Sequence, residues 1–221
     1  MISKKNDFES AIMWSYKLTY DTMFAPNPLW GILTLATCKP RIRRSPNSKK
    51  GTWIAGWTAC TLHNSPLQNK PISYCKRGEE KLIYLAQIDE TIALDKYWEK
   101  YPQKRPIVGC GINHATYYGD NIYHKESNGD IIQAPNNSHY KDDIQKDFYN
   151  GQYALVCKKF FYFTMEKRLY VPEDFRSLIH AGVGQSLKSG ELVYKFIDYV
   201  TDAAAKQGVN NGIVGNINID Y

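Results

Sequence analysis

Apolar and polar positions along the chain fall mainly into short, strand-like runs. Residues 13–20 (MWSYKLTY), 31–37 (GILTLAT), 51–59 (GTWIAGWTA), 81–92 (KLIYLAQIDETI) and 153–164 (YALVCKKFFYFT) concentrate β-branched and aromatic side chains between turn signals. The last run is apolar on both faces in parts, which predicts a central strand. Helical patterns are fewer. ALDKYWEKY (93–101) predicts a short helix stopped by Pro102, and PEDFRSLIH (172–180) has Pro at a helix start with acids in the first turn. The clearest helix follows Ser189, its expected cap. Leu192, Val193, Phe196, Ile197, Val200, Ala203 and Ala204 recur there at helical spacing, and Gly208 closes it. The tail GVNNGIVGNINIDY is expected either to add an edge strand or to fray.

Between these elements, residues 102–140 form a long irregular stretch rich in Gly, Asn, Asp, Tyr and His. A loop of that length inside a compact domain is usually functional or disordered, and its rings and imidazoles argue against simple disorder. The order of elements predicts an α+β fold. It would be a mixed β-sheet or small open barrel flanked by helices, with the C-terminal amphipathic helix packed on the sheet. No repeat or linker divides residues 1–221, so a single domain is expected.

Composition refines this picture. Seventeen Tyr, eight Phe and five Trp make 14% aromatic residues, suited to sheet packing or to a pocket walled by rings. No run of about 18 apolar residues is present, so no membrane span is expected. The start MISKKNDFES lacks an apolar core for a secretory signal. The five cysteines (38, 60, 75, 110, 157) are scattered and odd in number, which fits reduced thiols and a cytoplasmic location. The net charge is +6, and Lys39, Arg41, Arg43, Arg44, Lys49 and Lys50 place six positive charges within residues 38–50 with no acid among them. Such a local excess favours a phosphate-bearing partner, although a solvated loop has the same composition.

The segment YDTMFAPNPLWGILTLATCKPRIRR (20–44) concentrates the candidate chemistry. Pro26 and Pro28 stiffen the chain around Asn27, whose amide would then read a base edge or, equally well, satisfy backbone in a turn. Pro40 disfavours a helix, so Arg41 and Arg43 are expected on one face of an extended segment, gripping phosphate together with Lys39. Trp30 and Trp53 are candidate stacking surfaces, and Trp57 shares a strand face with Trp53. In the long loop, Gly119-Asp120-Asn121 is a turn signature that also presents an acid and an amide. His114, His124 and His139 include a candidate general base. Asp120 with His139, and Asp21 as a second carboxylate, are the acid–base candidates of an enzyme; Asn121 joins the binding set. Cys38 lies beside positive charge and is a candidate reactive thiol, against the commoner role of an inert cysteine. Cys110 and His114 lack a second ligand pair, so no metal is expected. No phosphate-loop fingerprint or GxSxG elbow occurs, and no cofactor is expected.

FAPNP with CKPRIRR, followed by GTWIAGWTA, LIYLAQIDETIALDKYWEKY, YGDNIYH and NSHY, resembles the nucleotide modification associated domain 2 family over about residues 14–164. The resemblance implies a role beside systems that hypermodify DNA bases in phages and bacteria. Where the family tends to have Gly-Asp-Trp-Ile, this chain has Gly51-Thr52-Trp53-Ile54, so a role for that acid does not carry over. The GTWIAGWTA and LIYLAQI pair is also similar to the sheet core of PUA-like folds, including EVE and YTH modules, which hold a modified base in an aromatic pocket. Three functions are therefore expected to compete. One is recognition of a modified nucleobase or nucleotide through a basic, aromatic-lined pocket, in DNA modification or phage defence. The second is an enzyme modifying or hydrolysing a group on such a base, and the third a small-nucleotide sensor. In each, the expected partner is a nucleic acid or nucleotide.

Overall fold

The computed structural model describes residues 11–68, 70–139, 143–182 and 184–221. Its strands and helices are, in chain order, β1 (Ile12–Asp21), β2 (Leu33–Leu35), α1 (Pro40–Arg43), β3 (Trp53–Asn64), β4 (Ile72–Tyr74), β5 (Lys81–Gln87), β6 (Glu90–Ala93) and α2 (Leu94–Lys100). There follow β7 (Tyr123–Lys125), β8 (Ile131–Gln133), β9 (Tyr153–Cys157), β10 (Lys159–Phe163), β11 (Leu169–Tyr170), β12 (Gln185–Ser189), α3 (Glu191–Ala205) and β13 (Gly212–Val214). The fold is α+β. The main sheet runs β12-β1-β3-β5-β10-β13, with β4 added to β3 and β11 to β5; β2-β9-β6 forms a second sheet and β7-β8 a third. All three are open, so of the two expected architectures the mixed sheet is the one adopted.

Strand alternation divides the main sheet into two faces. Trp53, Ala55 and Trp57 point to one side, where they meet Leu85, Phe161 and the apolar stripe Val193, Phe196, Ile197 and Val200 of α3. Ile54 points to the other side with Tyr16, Leu18, Tyr84 and Tyr162, against Leu33, Leu35, Leu155 and Cys157 of the second sheet. Gly56 lies on that second face because the Tyr84 ring occupies the place of a β-carbon. Gly208, at φ 78°, ends α3 as expected. Gly190, rather than Ser189, stands at its N-cap, and no side chain caps it.

Two long apolar runs are interrupted. Residues 81–92 break at Ile88–Asp89, and residues 153–164 break at Lys158, so each run supplies one strand to the main sheet and one to the second. The break is held by Ile88 N–H on Thr52 O (2.8 Å) and Asp89 N–H on Val156 O (2.9 Å). A strand apolar on both faces can change sheets at a bend because either partner sheet buries it. The helix expected at 172–180 is a 3-10 helix, Glu173–Leu178. The tail contributes β13, parallel to β10 at the sheet edge.

β1 and β3 are parallel neighbours. Parallel neighbours need a crossover of a dozen or more residues, and residues 22–52 provide it. That crossover contains the whole proline, cysteine and arginine segment. Topology therefore hangs this segment off the carboxyl end of β1.

Candidate active site

A cleft of about 420 Å³ opens where the crossover leaves β1. Tyr20, Phe24, Tyr117 and Tyr118 supply ring walls, Pro66 adds an apolar edge, and Thr22, Asn137 and Ser138 add polar groups. Cys38 and His139 line it together.

Cys38 occupies the apex of a strand–turn–helix between β2 and α1. Its φ is 56° and that of Lys39 is 42°, both left-handed. For residues with a β-carbon this conformation costs about 1–2 kcal/mol each, so the surrounding structure must hold it. Arg43 does much of the holding. Its Nε donates to Cys38 O (2.7 Å), Nη1 to Tyr153 O (2.7 Å), and Nη2 to both Asp147 O and Asp147 Oδ1 (2.9 Å each). Gly151 leaves room for that guanidinium, which a β-carbon there would strike.

His139 faces the thiol, with Nε2 3.7 Å from Cys38 Sγ. Its Nδ1 is hydrogen-bonded to Asp143 Oδ2, and Asp147 Oδ2 lies 3.7 Å from Nε2. The backbone N–H of His139 donates to Asn136 Oδ1 (2.6 Å), and its ring rests against Phe24 at 5.0 Å. Burial alone would push the imidazole down. The hydrogen bond and charge of Cys38, with Asp143 and Asp147, override it and push His139 up to about 9. Burial would likewise raise Asp143, but the His139 bond and Lys146 hold it below the ordinary carboxylate range. Thiol, imidazole and carboxylate thus stand in series, the arrangement in which a base activates a nucleophile and a third group orients the base. Among the described residues no group of three or more His, Cys, Asp or Glu is placed to hold a metal ion.

The other expected site residues are distributed differently. Asn27 is fully buried: its Nδ2 donates to Tyr118 O (2.7 Å), and its Oδ1 accepts from Leu29 N (3.2 Å) and Lys104 Nζ (2.8 Å). It shapes the cleft wall through Tyr118 and presents no free amide. Asp120 is also sealed, accepting from Thr34 Oγ1 (2.6 Å) and Tyr97 OH (2.8 Å). Burial pushes its carboxyl up, against the charge of Lys104 and these two donors. Asn121 donates to Tyr97 O and Tyr101 O (3.0 Å each), tying the loop to the end of α2. Asp21 accepts from Tyr162 OH (2.6 Å) and Arg168 Nη2 (2.7 Å) inside the main sheet.

Residues 40–43 are helical, not extended, because Lys39 turns the chain into α1 and Pro40 takes the helix start that proline tolerates. Arg41 and Arg43 therefore diverge: Arg41 is exposed while Arg43 is sealed against Asp147. Lys39 lies 4.5 Å over the Tyr16 ring. Trp53 is 6% exposed in the core below α3, and Trp30 is half-buried beside Lys104 and Tyr221. His114 caps a 3-10 turn and His124 stacks on Trp98. Of the three histidines, His139 is the one that meets a nucleophile. Asp143 and Asp147 escaped the sequence reasoning; the usable signal was the i,i+4 spacing of His139 and Asp143.

A family model described as nucleotide modification associated domain 2 matches residues 10–213. The chain belongs to that family. No curated protein and no solved structure matched it. The nucleotide modification associated domain 2 match covers the crossover, the long loop and α3 together, so the cleft lies within the family's own segment. Membership ties the chain to nucleotide modification. Among the described residues no helix is long and apolar enough to cross a membrane.

Proposed function

We propose that this chain is a thiol-dependent enzyme acting on a nucleobase, or on a group carried by one, in DNA or as a nucleotide. The observation that carries the proposal is the series Cys38–His139–Asp143 at the edge of an aromatic cleft. His139 holds the proton at Nε2, and the Cys38 sulfur bonds to an electrophilic carbon of the substrate as a π bond or leaving-group bond of that carbon opens. The imidazolium, oriented by Asp143, returns the proton to the departing or newly basic atom. Tyr20, Phe24 and Tyr117 offer ring faces to a planar base, and such stacking contributes about 1–3 kcal/mol per base. Arg41 on α1 and Arg44 at its C-terminal end, both exposed, suit the phosphate of the same substrate.

The ring walls and exposed arginines also favour a second function, recognition of a modified base by a PUA/EVE-like reader without chemistry. One experiment separates the two. The protein is mixed with short DNA and with free nucleotides carrying unmodified, hydroxymethylated or glucosylated cytosine. Binding is recorded at two salt concentrations, nucleosides are analysed by mass spectrometry, and the intact protein is weighed for an adduct. A nucleoside mass change, or an adduct on Cys38, that Cys38→Ala abolishes is the expected result. Modification-dependent binding with unchanged nucleosides, equal in Cys38→Ala, would establish the reader and retire the nucleophile.

A further inference from the structure

We propose that Cys60 and Cys75 form a second thiol site, a cross-strand dithiol that a low-molecular-weight disulfide oxidises reversibly. β3 and β4 are antiparallel with Thr61 opposite Tyr74, Leu62 opposite Ser73 and His63 opposite Ile72. One step further along this register, Cys60 stands opposite Cys75, and the Cys75 N–H donates to Cys60 O at 3.0 Å. Directly opposed residues send their side chains to the same face of the pair. In a hydrogen-bonded antiparallel pair the α-carbons are about 5.5 Å apart, inside the window of about 4.4–6.8 Å that disulfides span.

Access and surroundings fit the same chemistry. Both thiols are free, Cys60 is exposed and Cys75 half-buried. Cys75 Sγ lies 3.7 Å from Thr58 Oγ1 and donates to Ala59 O at 3.4 Å, so it rests against the stretch of β3 that leads into Cys60. The remaining cysteines have other surroundings: Cys157 is sealed in the core, Cys38 belongs to the cleft, and the Cys110 thiol donates to Ile107 O.

The reaction balances as two exchange steps. One cysteine sulfur attacks the small disulfide, forming a mixed disulfide and releasing one small thiol. The other cysteine attacks the protein-bound sulfur, closing Cys60–Cys75 and releasing the second small thiol. The protein loses two hydrogens and two electrons, and the small disulfide gains both. Closure clips residues 61–74 into a covalent loop. That loop contains Pro66, which lines the cleft, and His63, whose ring stacks on Tyr20 at 4.6 Å. The oxidised bond therefore fixes one wall of the candidate active site, while the dithiol itself stands independently of the function proposed for that site.

The test equilibrates the full chain with glutathione and glutathione disulfide at graded ratios, quenches with acid, and maps peptides by mass spectrometry. The expected product is a Cys60–Cys75 linked peptide with the loss of two hydrogens, reversed by dithiothreitol. Cys60→Ser and Cys75→Ser should each trap the mixed disulfide on the remaining cysteine. Phenylarsine oxide, which bridges paired thiols, should be retained by the wild-type chain and lost from both variants. Independent alkylation of both cysteines after oxidation, or linkage to Cys38, Cys110 or Cys157 instead, would overturn the proposal.

Discussion

Asp120 and Asp143 are aspartates in neighbouring stretches of one chain, and their surroundings assign them opposite work. Asp120 is sealed, accepting from Thr34 and Tyr97 and lying within the influence of the Lys104 charge. Asp143 is partly exposed and bonds an imidazole that lines a cleft. In the first case low dielectric and full satisfaction make the carboxylate part of the scaffold. In the second, one oxygen orients a base and solvent remains within reach. Residue type does not separate an acid sealed into the fold from one beside an open cleft. Its access and the number of fixed partners do.

Swapping the two losses tests this contrast most severely. Cys38→Ala should lower turnover by ~10³-fold or more, equivalent to about 4 kcal/mol of barrier, and shift unfolding free energy by less than about 1 kcal/mol. Asp120→Ala should do the reverse. It strands the Thr34 and Tyr97 hydroxyls and leaves Lys104 uncompensated, which should cost about 3–5 kcal/mol in denaturant unfolding. If Asp120→Ala folds normally and loses activity instead, the division between scaffold and cleft is wrong.

A smaller effect concerns pH. His139 is raised to about 9, so the folded protein binds this proton more tightly than the unfolded chain. Its contribution to stability should be complete below the unfolded value of about 6.5, decline as pH rises, and vanish above about 9. The stability difference between wild type and His139→Gln, followed by denaturant titration, should trace that window; a difference independent of pH from 6 to 10 would remove the ion-pair account. Smallest should be the exposed charges. Arg41→Glu with Arg44→Glu should leave stability within about 0.5 kcal/mol, weaken nucleotide binding, and reduce the salt slope on DNA by about 2. An unchanged salt slope would detach α1 from the ligand.

Much of the scaffold was legible because its signals are local. The stripe Val193–Phe196–Ile197–Val200 and the Gly208 stop predict α3, and β-branched runs predict β1, β3 and β5. The changes of sheet at Ile88 and Lys158 were not legible, since a run apolar on both faces does not reveal which sheet buries it. The site was read in part. His139, Cys38 and the crossover drew notice for their chemistry, but their meeting spans 101 positions and is fixed by topology, not spacing. Arg43 misled because the same guanidinium that suits phosphate also suits carbonyls and a buried carboxylate. Asn27 took the second of its two readings and satisfies backbone in the turn, and the Trp53 ring is likewise spent on the interior.

Arg43 carries one more consequence, in the order in which the parts of the candidate site leave the ribosome. Its guanidinium holds the Cys38 carbonyl and reaches Asp147, 104 positions beyond Arg43, and a loop of that length is entropically costly to close. A chain still emerging from synthesis, complete only through β3, has the thiol but neither the imidazole nor either aspartate beside it. The arginine contacts around Cys38 are complete only when Tyr153 and the helical turn at Gln145–Tyr149 are in place. The same arginine that holds the thiol's backbone thus ties the candidate site to segments that leave the ribosome late.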